Sequence, residues 1–273
     1  MQIDRPDYIK QLVDSKDNGL IKIVTGLRRV GKSYLLKTLF KKHLLNEGVK
    51  KDHILIIDLE DLKNKAFRNP NFLLEWIDNQ MLDDNQYYVI IDEVQRVEEF
   101  VDMLGSLAVK DNADVYVTGS NSRFLSSDIA TEFRGRGEEI HVWPLTFKEF
   151  MTAYDGDIID GWQEYFTYGG LPKILSIKGD DKKVTYLRNL YRTVYLKDIY
   201  ERHNIENKTE FEELVRILAS SIGSPVNPTN LANTFKSVKR LTTVACLLPI
   251  LIIILHALIG HAKALSVPNS RKM

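Results

Sequence analysis

The stretch LIKIVTGLRRVGKSY, residues 20–34, passes from an apolar run into a glycine-bounded turn that carries three cations. Four of its residues fit the pattern G-x-x-x-x-G-K-[ST]: Gly26, Gly31, Lys32 and Ser33. In a loop of this kind, backbone N–H groups and the start of the next helix converge on phosphate oxygens, and bulky side chains at the glycine positions would block that approach. The stretch therefore predicts a strand, a phosphate-binding loop and a helix, in that order.

Two side chains of the loop have expected roles. Lys32 should reach the β- and γ-phosphates of ATP, and the Ser33 hydroxyl should coordinate Mg²⁺. The whole turn is expected to surround the nucleotide: Gly26, Leu27, Arg28, Arg29, Val30, Gly31, Lys32, Ser33 and Tyr34. Arg28 and Arg29 are interpreted as solvated or as packed on acidic side chains. The alternative for the whole motif is a glycine-rich turn with surface lysines.

Apolar periodicity on both sides of the loop predicts strands and helices in alternation. Strands are expected at residues 20–25, 53–59, 87–91, 115–118 and 139–143. Helices are expected at residues 6–16, 32–46, 71–82 and about 98–109. Strands separated by such helices form parallel sheets with right-handed crossovers, so residues 1–150 are predicted to be an α/β P-loop NTPase domain. A helical region is predicted over residues 151–238.

The strand YYVIIDE, residues 87–93, ends in two carboxylates about sixty residues after the phosphate loop. Open α/β sheets bind ligands at the carboxyl ends of their strands, where Asp92 is expected to hold Mg²⁺ directly or through water. Glu93 is expected to polarise the attacking water as a general base. Many strands end in charged turns, but the position of this one after the phosphate loop favours the catalytic interpretation.

The next predicted strand, in DVYVTGSNS at residues 114–122, ends in a polar turn. Ser120 and Asn121 are candidates to orient the water or to contact the γ-phosphate. A strand-to-helix turn, with either residue capping the helix, explains the same pattern. Both interpretations stay open.

Two arginines, Arg134 and Arg136, flank Gly135 just before the fifth predicted strand. An arginine that reaches the γ-phosphate, in cis or from a neighbouring subunit, stabilises transition-state charge. Arg136 is the candidate for that role. Arg134 is interpreted as a surface residue that pairs with nearby glutamates.

Composition restricts the class of protein. Apolar residues make up 44% of the chain and charged residues 27%, as in ordinary globular proteins. Residues 214–273 contain seven basic and no acidic residues, whereas residues 1–213 contain 30 basic and 37 acidic residues. The predicted ATPase part therefore has no general electrostatic attraction to nucleic acid. The single cysteine, Cys246, and an N-terminus without an apolar core predict a cytoplasmic protein.

Five motifs occur in a characteristic order: GLRRVGKSYLL, VIIDEVQ, VTGSNS, Gly135-Arg136 followed by PLTFKEF, and YGGLP. Together they resemble the prokaryotic AAA-type ATPases of the archaeal-ATPase group, over residues 1 to about 238. Members of that family join a P-loop domain to a helical region and a C-terminal domain of unknown function. The resemblance implies ATP binding and hydrolysis. It implies that the phosphate loop binds the nucleotide, that Asp92 serves Mg²⁺ and that Glu93 serves the attacking water.

Residues 211–235 resemble the start of a winged-helix element, with its second helix at 230–235. The recognition helix, wing and terminal domain that should follow are missing, so this element is predicted to be incomplete. Residues 239–273 instead form an atypical tail with an apolar run at 244–259. Three interpretations compete: a marginal membrane anchor, a buried core helix, and an out-of-frame or truncated segment. The loss of all acidic residues favours the last.

The leading interpretation is a Mg²⁺-dependent ATPase that works as an AAA-type switch or motor, with a homo-oligomer as one expected state. One alternative is an ATP-gated regulator that binds DNA through residues 211–235, which salt-dependent duplex binding would reveal. The other is a truncated remnant that binds nucleotide without turnover. A membrane contact is expected only if the run at 244–259 is genuine.

Overall fold

The computed structural model describes residues 2–119, residues 135–192 and Thr209. The chain divides into two compact units, Met1–Trp143 and Pro144–Met273. The predicted winged-helix element at 211–235 and the tail at 239–273 lie outside the described residues.

A five-stranded sheet forms the centre of the first unit. Its strands are β1 (Ile21–Thr25), β2 (Ile54–Asp58), β3 (Tyr87–Asp92), β4 (Ala113–Thr118) and β5 (Gly137–His141). Their order is β2-β3-β4-β1-β5, and every neighbouring pair is parallel. The parallel α/β sheet predicted from the sequence is confirmed. β5 begins two residues before its predicted start. Its pairing with β1 begins with the hydrogen bond that Ile21 N–H donates to the Arg136 carbonyl at 2.9 Å.

Helices connect the strands of this unit at the places that the periodicity predicts. The first helix is Pro6–Asp14, and the helix after the phosphate loop covers residues 32–46, with a π-helical segment at Leu35–Phe40. Two more follow at Pro70–Gln80 and Phe100–Leu107. The helix Phe100–Leu107 is shorter than predicted, because Glu99 before it has a left-handed backbone, with φ 49° and ψ 37°.

Side chains of alternate strand residues pack on helices at each face of the sheet. One core cluster joins Ile23, Ile57, Val89 and Val117 to the helices Pro70–Gln80 and Phe100–Leu107. At the other face, the apolar residues of the phosphate-loop helix are buried, and the ring of Phe40 lies 4.7 Å from the ring of Tyr116. Covering both faces explains why the strands are almost continuously apolar.

One charged pair interrupts this apolar interior. Lys22 on β1 is fully buried and forms an ion pair with Asp114 on β4. Tyr116 donates a hydrogen bond to the same carboxylate at 2.8 Å, and the Asp17 N–H donates another at 3.1 Å. Charges this deep require partners, so the pair accounts for a lysine in the middle of a buried strand.

The second unit contains the helices Phe147–Met151, Ile158–Tyr168 and Asp180–Leu190, with a 3₁₀ turn at Pro172–Ser176. Two of the quoted motifs, PLTFKEF and YGGLP, meet inside it. Leu145 N–H donates to the Gly170 carbonyl at 2.8 Å, and a Cβ on Gly170 would lie 2.3 Å from the Leu145 oxygen. These motifs are therefore packing elements. None of the helices in the described part of the chain has the length and hydropathy needed to span a bilayer.

Gly26, which links β1 to the phosphate loop, permits the backbone of Val142 to approach closely. Its φ is +133°, and a Cβ there would lie 2.2 Å from the Val142 oxygen. Gly26→Ala should therefore lower the free energy of unfolding by about 2 kcal/mol or more. Gly105, in the helix Phe100–Leu107, has open space around its Cβ position. Gly105→Ala should raise stability by about 0.5–1 kcal/mol.

Urea unfolding of the two variants beside the wild type measures both effects. Equal midpoints for wild type and Gly26→Ala would contradict the close approach, whereas the Gly105 variant controls for the general effect of replacing glycine by alanine.

Candidate active site

The phosphate loop begins where β1 ends and leads directly into the helix at Lys32. Its backbone is held open by two left-handed residues, Arg29 with φ 71° and Gly31 with φ 102°. Leu27 and Val30 are buried and anchor the loop from beneath, at 5% and 0% exposure. The motif therefore lies between a strand and the start of a helix, which is the context in which backbone N–H groups can bind an anion.

The Lys32 ammonium folds back over the loop. Its Nζ donates to the carbonyls of Gly26 at 2.9 Å and Leu27 at 3.0 Å. Burial lowers the pKa of Lys32 to about 8, although the nearby carboxylates of Glu93 and Asp92 act in the opposite direction. The lysine is therefore held at the loop in a partly desolvated state.

Asp92 at the end of β3 meets the phosphate-loop helix. The Ser33 hydroxyl donates to Asp92 Oδ1 at 2.9 Å, which joins the two residues predicted to serve Mg²⁺. A hydroxyl and a carboxylate oxygen in contact suit Mg²⁺, since this ion takes few protein oxygens and completes its shell with phosphates and water. The residues present therefore fit the ion that the fold family implies.

Two further side chains engage the Asp92 carboxylate. Thr118 at the end of β4 donates its hydroxyl to Asp92 Oδ1. Lys37, one turn beyond Ser33 on the helix, lies with its Nζ 2.7 Å from Asp92 Oδ2 and 2.7 Å from Asp58 Oδ2 at the tip of β2. Burial opposes the charge of Lys37, but the hydrogen bonds to Asp58 and Asp92 raise its pKa above the ordinary value.

Glu93 stands at a strained backbone position directly after Asp92. Its φ of 60° and ψ of 49° are left-handed, a conformation that is uncommon for residues other than glycine. The Glu93 N–H donates to the Thr118 hydroxyl at 3.0 Å, and its carboxylate accepts a hydrogen bond from the Gln95 amide. Glu93 is 9% exposed, so its carboxylate lies largely out of water beside Lys32 and Asp92.

Sequence reasoning missed four members of this cluster: Lys37, Asp58, Gln95 and Thr118. A signal existed for three of them. Thr118 ends a predicted strand, and Asp58 is the next-to-last residue of another. Lys37 lies four residues after Ser33 and so shares its helix face. Without the strand order, nothing singled these residues out among many polar residues at strand and helix ends.

The remaining predicted positions lie apart from this cluster or outside the described residues. Ser120 and Asn121 lie outside the described residues, so their roles as water or γ-phosphate contacts stay predictions. Tyr34 is 37% exposed at the start of the helix. Arg136 is exposed and directly precedes β5, at the edge of the sheet opposite the phosphate loop. About five residues of β1, or roughly 16 Å, separate it from that loop, which argues against action on its own phosphate site.

These observations define an α/β fold of the P-loop NTPase type. Residues 18–151 match the model of an AAA domain, and residues 159–253 match a domain of unknown function, DUF8612. The chain thus contains both parts of the predicted combination, an AAA domain and a domain of unknown function. The second match runs past Lys239 and ends within the apolar run of the tail.

Two curated relatives match over most of this chain. An uncharacterised protein of Haemophilus influenzae is 32% identical over 241 residues, which cover 86% of this chain and 60% of the relative. An uncharacterised protein of Methanocaldococcus jannaschii is 30% identical over 230 residues, covering 79% of this chain and 50% of the relative. The chain thus spans about half to three-fifths of their length.

A solved structure supports the fold. The Walker-type ATPase of Pyrococcus abyssi superposes with a TM-score of 0.55 at 17% identity, covering 94% of this chain and 90% of that one. At this identity the likeness concerns the α/β fold alone.

The lowered pKa of Lys32 predicts proton uptake when ATP binds. Above pH 8 Lys32 is mainly neutral in the protein without nucleotide, and phosphate oxygens would raise its pKa again, because a nearby anion favours the charged form. Binding at pH 9 should therefore take up roughly one proton per ATP, and binding at pH 7 should take up far less from this group. Calorimetry in buffers of different ionisation enthalpy measures this uptake.

Lys32→Arg is the matched control, because a guanidinium stays charged at both pH values. Binding by the wild type at pH 9 without proton uptake would show that Lys32 does not change its environment when nucleotide enters.

Proposed function

We propose that this chain binds ATP with Mg²⁺ and hydrolyses it, as an AAA-type switch or motor. One observation carries the proposal: Lys32 and Ser33 from the phosphate loop meet Asp92 and Glu93 from β3 at one edge of the sheet. The Ser33–Asp92 contact of 2.9 Å joins the two halves of the site. These residues supply a phosphate cradle, oxygen ligands and a carboxylate base in one place.

Nucleotide binding would use charge and backbone together. The loop N–H groups and the helix start would face the phosphates, and Lys32 would turn from the Gly26 and Leu27 carbonyls to the β- and γ-phosphates. Ser33 and Asp92 would hold Mg²⁺, which when bound neutralises charge on the β- and γ-phosphate oxygens.

Hydrolysis would use Glu93. As the water oxygen forms its bond to the γ-phosphorus, the bond from that phosphorus to the bridging oxygen breaks, and its electron pair leaves with ADP. Glu93 would accept the proton that the water loses. The Thr118 hydroxyl would fix Asp92 and Glu93 relative to each other, since it donates to Asp92 and accepts from the Glu93 N–H.

Glu93→Gln should retain ATP and lose turnover, because a general base acts only after the nucleotide is seated. We expect kcat to fall by about 10² or more with the Kd for ATP nearly unchanged. Lys32→Ala is the contrasting variant, and it should weaken ATP binding itself by about 2 kcal/mol or more. Phosphate release and calorimetry on the same preparations separate the two effects.

Loss of ATP binding in Glu93→Gln would instead make Glu93 a metal ligand or a structural residue. Binding of ATP by Lys32→Ala with wild-type affinity would refute the phosphate-loop assignment.

Arg136 is proposed to act on the γ-phosphate of a neighbouring subunit, since its position at the opposite edge of the sheet disfavours its own site. Arg136→Ala and Lys32→Ala should each be nearly inactive. Their equal mixture should regain up to roughly a quarter of wild-type turnover if subunits share sites and mix at random.

The control is Arg188→Ala, which removes an exposed arginine from the second unit. That variant should keep full turnover by itself. An active Arg136→Ala variant, with no gain on mixing, would return Arg136 to the role of a surface residue.

A further inference from the structure

Gln95 follows the Asp92-Glu93 pair in a short, firmly packed turn. The 3₁₀ turn Val94–Arg96 begins directly after Glu93, and the Arg96 N–H donates to the Glu93 carbonyl at 3.0 Å. The side chain of Val94 is fully buried in the core beneath the sheet. The position of Gln95 relative to Glu93 is therefore fixed by the backbone and by core packing.

The two ends of the Gln95 amide have different surroundings. Its Nε2 donates a hydrogen bond to Glu93 Oε2. Its Oε1 is buried and accepts no hydrogen bond within the described part of the chain. A buried acceptor without a donor costs about 1–3 kcal/mol, so such groups are uncommon and call for an explanation.

The unused acceptor lies next to the carboxylate of the proposed base. Within one amide the oxygen and nitrogen share a carbon, so Oε1 lies close to the Glu93 carboxylate that Nε2 contacts. A water molecule carries two O–H donors, and a general base uses only one of them. A second acceptor beside the base would fix the remaining O–H and thereby aim the oxygen lone pair.

We propose that Gln95 positions two groups for hydrolysis. Its amide N–H holds the Glu93 carboxylate, and its Oε1 accepts a hydrogen bond from the attacking water. This inference rests on the proposed ATPase function and adds a residue to its machinery. The bonds made and broken are those of the hydrolysis above, and Gln95 takes and gives no proton. The opposite role, in which Gln95 restrains Glu93 in a resting position, would make turnover faster when the amide is removed.

The test compares Gln95→Met with the wild type, because methionine keeps the length of the side chain and removes both amide groups. We expect kcat to fall at least about tenfold, with KM and the Kd for ATP changed less than about threefold. A merely structural role would change ATP affinity and the unfolding midpoint together with kcat. The same substitution at the exposed Gln80, at the end of the helix Pro70–Gln80, is the matched control. It should leave kcat, KM and the Kd for ATP unchanged.

A double-mutant cycle shows whether Gln95 acts through Glu93. In the Glu93→Gln background, Gln95→Met should lower kcat by less than about twofold, since residues that act as a unit are not additive. Unchanged or faster turnover in Gln95→Met, or a full additional loss in the double variant, would overturn the positioning role. Absence of ATP turnover in the wild type would instead remove the proposed function and this inference with it.

Discussion

Asp92 is 2% exposed, and both of its carboxylate oxygens are engaged by residues from other elements. Ser33 and Thr118 donate to one oxygen, and the Lys37 ammonium lies 2.7 Å from the other. Removing one partner of a buried charge typically costs about 3–5 kcal/mol, so these contacts hold one another in place. Because Lys37 also binds Asp58, the tips of β2, β3 and β4 and the phosphate-loop helix form one connected unit. The geometry of the site depends on that connection.

A second buried lysine–aspartate pair lies at the other end of the strands and shows that the role of such a pair depends on its position in the sheet. Lys22 and Asp114 lie toward the amino ends of β1 and β4, where Tyr116 and the Asp17 N–H complete the hydrogen bonds of the carboxylate. Burial and the charge of Asp114 raise the pKa of Tyr116, so its hydroxyl remains a donor. The pair at this end joins β1 to β4 inside the sheet. At the carboxyl ends of the strands, carboxylates instead face the helix start and the loop, where a ligand can reach them.

Much of the fold follows from local pattern. The apolar runs locate all five strands within about two residues, and the spacing of glycines, Lys32 and Ser33 locates the phosphate loop. The carboxylates of Asp92 and Glu93 follow from the end of a buried strand. Lys37, Thr118 and Gln95 could not be predicted, because their significance depends on which strand tip neighbours which and on side-chain directions. Arg136 was found from the sequence, but its placement at the edge of β5 away from the loop follows only from the pairing of β5 with β1.

The sequence by itself determined the class of this protein. A phosphate loop is a local object, since its shape depends on glycine positions and on N–H groups within one turn of chain. The tertiary structure alone decided the order β2-β3-β4-β1-β5, and with it the contacts of Asp92 with Thr118 and of Lys37 with Asp58. Those contacts join residues 26 and 21 positions apart in the chain. They form in the folded protein, where two helical layers cover both faces of the sheet. Charged and hydroxyl groups at the strand tips are then removed from water, and a buried polar group without a hydrogen bond costs free energy.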